Sequence, residues 1–127
     1  TFEINDDEME IGMGIHGEPG IRRCKLKSAD DISDELFEKL INDSKLIEGN
    51  RIALLINSLG ATPQEELFIV AKRLQNNFRY KKIEIKKSYV GRYATSMEMS
   101  GMSITTLKLD DEIESNLLTN SDCPFWY

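Results

Sequence analysis

The chain predicts an α/β fold, a two-layer domain with a mixed β-sheet and helices mainly on one face. Three observations lead there. Apolar residues alternate, or run almost unbroken, over short segments at 8–15, 51–57, 83–90 and 103–108, which is strand patterning. Around 30–44 and 62–78 they recur instead every three or four positions, the period of a helix buried on one side. The resulting order, β-α-β-α-β-β-α, is that of one sheet covered by its connecting helices. Hairpin-like pairing of 83–90 with 103–109 is expected to supply the antiparallel part of the sheet.

Each element has its own local cause. Residues 1–7 are acidic and expected to be loose, and Met9, Ile11 and Met13 alternate through the first strand. Residues 21–26 form a short extended piece. Ile32, Leu36, Leu40 and Ile41 mark the first helix, with Asp30 and Asp31 near its positive end, where carboxylates suit the helix dipole. The run Ile52 to Ile56 is apolar at every position, as in a strand lying centrally in a sheet. Gly60 turns the chain. Thr62-Pro63-Gln64-Glu65 then reads as a helix start, with Thr62 as N-cap, Pro63 first in the helix and Glu65 completing a capping box. The amides near Gly60 could alternatively hold an anion, but a capped strand-to-helix turn is the better reading. Leu67, Val70, Ala71 and Leu74 make the buried stripe of this helix, up to Phe78. Met97, Met99 and Met102 are expected to fill irregular gaps in the core. Asp110, Asp111 and Glu112 open a C-terminal helix carrying Ile113, Leu117 and Leu118. The terminal aromatics Phe125, Trp126 and Tyr127 are expected to pack on this domain or on a partner.

Composition narrows the function. A chain of 127 residues, 40% hydrophobic and 30% charged, suits one soluble domain spanning 1–127 with its own core. A net charge of −6 argues against direct binding to nucleic acid or to anionic membrane. No apolar run approaches the roughly 20 residues of a membrane span. Cys24 and Cys123 lack CxxC spacing, so they are expected to be free thiols in a reducing cytoplasm, and no metal site is expected.

Chemistry is concentrated between residues 11 and 20. His16 is the only histidine, and Gly12, Gly14, Gly17 and Gly20 are half of the chain's eight glycines. An imidazole flanked by Gly14 and Gly17 has little bulk beside it, so a small ligand can approach the ring. Against this stands the ordinary reading of a lone surface histidine in a turn, which is the more common case. Residues 12–17 also spell G-x-G-x-x-G. That dinucleotide fingerprint requires a helix to open at its third glycine, with its N-terminus toward the pyrophosphate. Glu18-Pro19-Gly20 follows instead, breaking a helix and placing a carboxylate where a phosphate would lie.

Ile15-His16-Gly17-Glu18-Pro19-Gly20, preceded by Gly12 and Gly14, resembles the substrate-histidine loop of dihydroxyacetone kinase K subunits. The resemblance continues through Ile56-Asn57-Ser58-Leu59-Gly60-Ala61-Thr62-Pro63, through Gly91 to Met99, and through Gly101 to Asp110. It covers the family's C-terminal domain only. A start at Thr1, without Met, leads us to expect a fragment or processed piece, and the resemblance implies an N-terminal domain that these residues do not include. What the resemblance implies is a dihydroxyacetone-binding subunit that holds the ketone covalently, as a hemiaminal on His16. Histidine is among the side chains that form covalent intermediates, and glycerol, which has no carbonyl, would be rejected. Gly14, Gly17 and Glu18 would shape the binding loop, Glu18 by accepting backbone hydrogen bonds. Phosphate would come from a separate nucleotide-carrying subunit, as in phosphotransferase-dependent systems, so no cofactor is expected in this chain, and a homodimer is expected. These 127 residues alone should bind the ketone weakly and transfer no phosphate. The alternative is a non-enzymatic paralogue that senses dihydroxyacetone and acts as coactivator of a transcriptional regulator. Arg92, where the family commonly has Asn, and Ser58, where it commonly has Gly, leave room for that reading.

Overall fold

The unbroken apolar run becomes the middle strand of a three-stranded sheet. A computed structural model describes residues 4–14 and 16–124. The elements in order are β1 (Glu8–Ile11), β2 (Arg22–Lys25), α1 (Ala29–Ser44), β3 (Arg51–Ser58), α2 (Gln64–Tyr80), β4 (Glu84–Gly91), β5 (Met102–Leu109) and α3 (Asp111–Leu117). The main sheet has the order β4-β3-β5, with β3 parallel to β4 and antiparallel to β5. The sheet is therefore mixed. The expected hairpin between the last two strands does not form, because β3 lies between them. Parallel pairing of β3 and β4 uses α2 as its crossover, as a parallel pair requires.

Alternation along β3 puts Ile52, Leu54 and Ile56 on one face, each fully buried. Against them pack Leu67, Val70, Ala71, Leu74 and Phe78 of α2, the stripe that the helical spacing predicts. The first helix differs from expectation. Its buried positions are Ser33 and Phe37, while Leu36 and Leu40 are only half-buried. Phe37 meets Phe78 edge to face, with ring centroids 4.9 Å apart, and that ring contact rotates the stripe toward Phe37. Ser28 caps α1 by accepting the Asp31 N–H at 3.1 Å. Asp34 of α1 receives Arg73 of α2 through two hydrogen bonds of 2.8 and 2.6 Å, and Asn77 through a third of 2.7 Å. Helix α3 begins at the N-cap Asp110, as read, and Asp111 and Glu114 reach back to Arg51 at the start of β3.

The first strand is not part of this sheet. β1 and β2 form a separate antiparallel ribbon, Glu8 opposite Lys25 and Ile11 opposite Arg22. β1 ends at Ile11, earlier than the predicted residue 15, because Gly12 takes φ +78° and turns the chain. Ile15 lies outside the described residues. Residues 5–7, expected to be loose, form a turn: the Asn5 carbonyl accepts from Glu8 N–H, and the Asp7 carbonyl accepts from Leu26 N–H. Met102 packs at the core edge, but Met97 is 90% exposed and Met99 is exposed as well, so those two do not fill the core. The terminal aromatics 125–127 lie outside the described residues.

Candidate functional site

The β1–β2 ribbon carries a ten-residue loop. Residues 12–21 connect β1 to β2, and both ends of that connection are closed by hydrogen bonds. Ile21 N–H donates to the Ile11 carbonyl at 2.7 Å, and Gly20 N–H donates to the Glu10 carboxylate at 2.6 Å. The other oxygen of Glu10 takes the Arg23 guanidinium at 2.7 Å. The Gly20 amide first, and Arg23 second, hold the Glu10 carboxyl below the usual carboxylate range. A side chain at position 20 would meet the Ile11 carbonyl oxygen at 2.5 Å, so only glycine fits this closure. The ribbon is fastened to α1 by Arg22, which pairs with Glu35 through two hydrogen bonds of 3.1 and 2.6 Å. Lys27 joins the same carboxylate at 3.0 Å.

Inside the closure is a smaller turn that presents His16. Gly14 N–H donates to the Glu18 carbonyl, and Gly17 N–H donates to the Gly14 carbonyl, each at 3.0 Å. Gly17 sits at φ +86°, in the left-handed region that favours glycine, with open space where a side chain would be. The Glu18 carboxylate folds back over Gly14 and accepts the main-chain N–H of His16 at 3.1 Å. A methyl group at Gly14 would collide with that carboxylate and lie 2.9 Å from the Glu18 Cβ. The expected role of Glu18, accepting a backbone hydrogen bond to shape the loop, is thus present in the geometry. The same carboxylate stands 3.4 Å from His16 Nδ1, and the imidazole is 84% exposed. All four residues singled out in the loop are brought together: Gly14 beneath Glu18, Gly17 beyond His16. No helix opens after Gly17; the chain runs on into β2, so the dinucleotide pattern has no phosphate-binding context here.

The other stretches carrying the resemblance also converge. The β3–α2 turn and residues 92–101 are zipped together at the C-terminal end of β3. Leu59 N–H donates to the Gly101 carbonyl and Ala61 N–H to the Met99 carbonyl, both at 3.0 Å. The Leu59 carbonyl accepts from the Ser96 hydroxyl at 2.5 Å and from its N–H at 3.1 Å. Gly60, at φ +133°, lets the backbones approach, since a side chain there would lie 2.8 Å from the Ser96 carbonyl oxygen. With Gly60 N–H donating to Ser58 Oγ at 3.1 Å, the Gly60 and Ala61 amides, which the sequence left open to an anion, are both taken.

Thr62 does not cap α2. Pro63 occupies the N-cap without a side-chain cap, and the Thr62 hydroxyl accepts from Gly101 N–H at 2.9 Å. A long-range partner has taken the group that local spacing assigned to the helix. The residue that sequence reading missed is Asn57. Buried at the end of β3, it accepts the N–H groups of Tyr93 and Ala94 at 2.8 and 3.0 Å. It also donates to the Ala94 carbonyl at 2.6 Å and to Ser103 Oγ at 3.2 Å. An amide ending an otherwise apolar strand was the available signal. Beside this pin lies a cleft of about 250 Å³ between the turn, the start of α2 and Arg92. Among the described residues no cluster of three or more His, Cys, Asp or Glu could hold a metal ion, and no helix is long and apolar enough to cross a membrane.

Comparison with known proteins gives a consistent set of relatives. The family model described as the Dak1 domain matches residues 1–125. The chain is 44% identical over 125 residues to the PTS-dependent dihydroxyacetone kinase 2, dihydroxyacetone-binding subunit DhaK of Listeria innocua, covering 98% of this chain and 38% of that protein. Among solved structures it is similar to one described as "Regulation of the dha operon of Lactococcus lactis", with TM-score 0.85 and 31% identity over 94% of this chain and 38% of that one. It is also similar to the dihydroxyacetone kinase operon co-activator Dha-DhaQ, with TM-score 0.80 and 31% identity over 91% of this chain and 36% of that one. The chain thus spans under two fifths of the length of each.

Proposed function

The chain belongs to the Dak1 domain family, and from that premise we propose that it binds dihydroxyacetone through His16, as part of a dihydroxyacetone kinase. The ketone is held as a hemiaminal: an imidazole nitrogen adds to the carbonyl carbon, and the carbonyl oxygen becomes a hydroxyl. A terminal hydroxyl of the captured triose then takes phosphate from a nucleotide-carrying partner subunit. The observation that carries this reading is the presentation of the chain's only histidine, exposed, on a hydrogen-bonded turn with open space beside it at Gly17. Orientation of a reacting group by a rigid frame is what converts an encounter into a reaction, and the Glu10 and Glu35 anchors give this loop such a frame. The relative from Listeria, named as a dihydroxyacetone-binding subunit, supports the substrate.

A second reading has its own support. Similarity to the Dha-DhaQ co-activator favours a paralogue that uses the same ketone capture to signal to a transcriptional regulator. Both readings require His16. Titration with dihydroxyacetone and with glycerol, followed by NMR, tests them together. Wild-type protein should respond at His16 to the ketone and not to glycerol, and His16→Ala should lose the response while keeping its spectrum elsewhere. Equal responses to ketone and glycerol would remove the proposal.

A further inference from the structure

The structure assigns to Glu18 the task of setting the tautomer of His16, so that Nδ1 carries the proton and Nε2 is the nitrogen free to attack a carbonyl. The inference rests on the proposed ketone capture for its purpose, but its geometry stands apart from any ligand. In a neutral imidazole one nitrogen is a donor and the other an acceptor, and the partner of one decides the state of the other. Glu18 Oε1 lies 3.4 Å from His16 Nδ1. That is an ion-pair distance rather than a closed hydrogen bond, and it needs only a small ring adjustment to close. The carboxylate has a second hold beside the ring. Its second oxygen is held by the His16 N–H at 3.1 Å, and its chain is seated over Gly14, where any larger residue would displace it. An anion beside Nδ1 favours a proton there and leaves the lone pair on Nε2, on a ring that is mostly exposed.

The same placement serves the addition step. When Nε2 donates its pair to the carbonyl carbon, the carbonyl π electrons move to oxygen and the ring becomes a substituted imidazolium still bearing its Nδ1 proton. Positive charge thus develops on the side of the ring that faces the Glu18 carboxylate, where an opposite charge stabilises it. The alkoxide takes a proton from water, and the Nδ1 proton leaves through Glu18 to the hydroxide so formed. Net, one N–H adds across one C=O, with no change of oxidation state. Glu18 touches the ring and not the ketone, so it acts as a positioning residue.

Nitrogen NMR on isotope-labelled protein reads this directly, because the only histidine of the chain gives a single ring spin system. The pH is raised until the ring shifts stop moving, so that the neutral form is observed. Wild type should show the Nδ1–H tautomer in excess, reversing the preference of free histidine for Nε2–H. Glu18→Gln keeps the side chain's size and an oxygen for the His16 N–H, but can turn its NH2 toward Nδ1. It should shift the ring to the Nε2–H tautomer and weaken ketone capture at least tenfold, with the amide spectrum of the ribbon unchanged. Gly14→Ala, which expels the carboxylate without touching His16, should move the tautomer ratio toward that of free histidine. Wild-type protein with Nε2–H in excess would overturn the inference whatever the variants do, and so would a ratio unmoved by Glu18→Gln. If the tautomer behaves as expected but no ketone is captured, the proposed function fails and the assignment of Glu18 stands.

Discussion

Asn57 shows how one buried amide can organise a region that carries no regular structure. All four of its hydrogen-bonding positions are used, three on the backbone of residues 93–94 and one on Ser103. A buried donor or acceptor left without a partner costs its full desolvation penalty, about 1–3 kcal/mol for each group. Asn57→Ala strips partners from two N–H groups and one carbonyl, so it should lower unfolding stability by at least about 2 kcal/mol. Urea denaturation would measure that loss. Hydrogen exchange should meanwhile quicken at Tyr93 and Ala94, with α1 unaffected. A midpoint equal to wild type would mean that water replaces the amide freely and that the loop does not depend on it.

At the scale of elements, the clamp between α1 and α2 gives a pH-dependent prediction. Arg73 first, and Asn77 second, hold the Asp34 carboxyl down at about 2, against an ordinary value of 3.8. A folded-state value below the unfolded one contributes stability that is fully present above the unfolded value and is lost as pH falls through the folded one. The contribution should therefore be intact at neutral pH, decline below about 3.8 and be gone beneath about 2. Wild type should exceed Arg73→Ala in denaturation midpoint at neutral pH, and the two should converge in that acid window. The side chains of the pair are partly exposed, which keeps the difference small. A gap that persists unchanged at the acid end would show that Arg73 acts through packing and not through charge.

Elements were the most legible level of this sequence, and their pairing the least. The stripe Leu67, Val70, Ala71, Leu74 and Phe78 is a local periodicity, and it is buried as read. The hairpin between residues 83–90 and 103–109 was a reasonable expectation from adjacency in the chain. It fails because β3, pinned through Asn57, Leu59 and Ala61 to residues 92–101, takes the place between the two strands. Thr62 illustrates the same limit at one residue. Its spacing to Glu65 satisfies a capping box, but no local pattern contains Gly101, the donor its hydroxyl accepts from. Phe37 was overlooked for a related reason, since its burial depends on Phe78 across the helix pair. The shape of the His16 loop was legible because its contacts are local: Gly14, His16, Gly17 and Glu18 bond to one another within five consecutive positions.

The whole molecule has two parts, a folded body and a ribbon beside it. The sheet, its two long helices and the zipped loops at the end of β3 form the folded body, and the β1–β2 ribbon, which carries the His16 loop, is tied to α1 by way of Arg22 and Glu35. Because the body's core does not include the ribbon's loop, substitution at His16 should leave the fold intact, and function can be tested separately from stability. In the proposed function His16 forms a bond to a ketone and does not merely hydrogen-bond to it. Its most direct test is carbon NMR of the protein with excess dihydroxyacetone labelled at the carbonyl carbon. A covalent adduct should give a protein-bound resonance in the range of a tetrahedral carbon bonded to nitrogen and oxygen, coupled to the His16 ring nitrogen and missing from His16→Ala. A bound ketone whose labelled carbon keeps a carbonyl shift, or a tetrahedral signal that survives in His16→Ala, would contradict it.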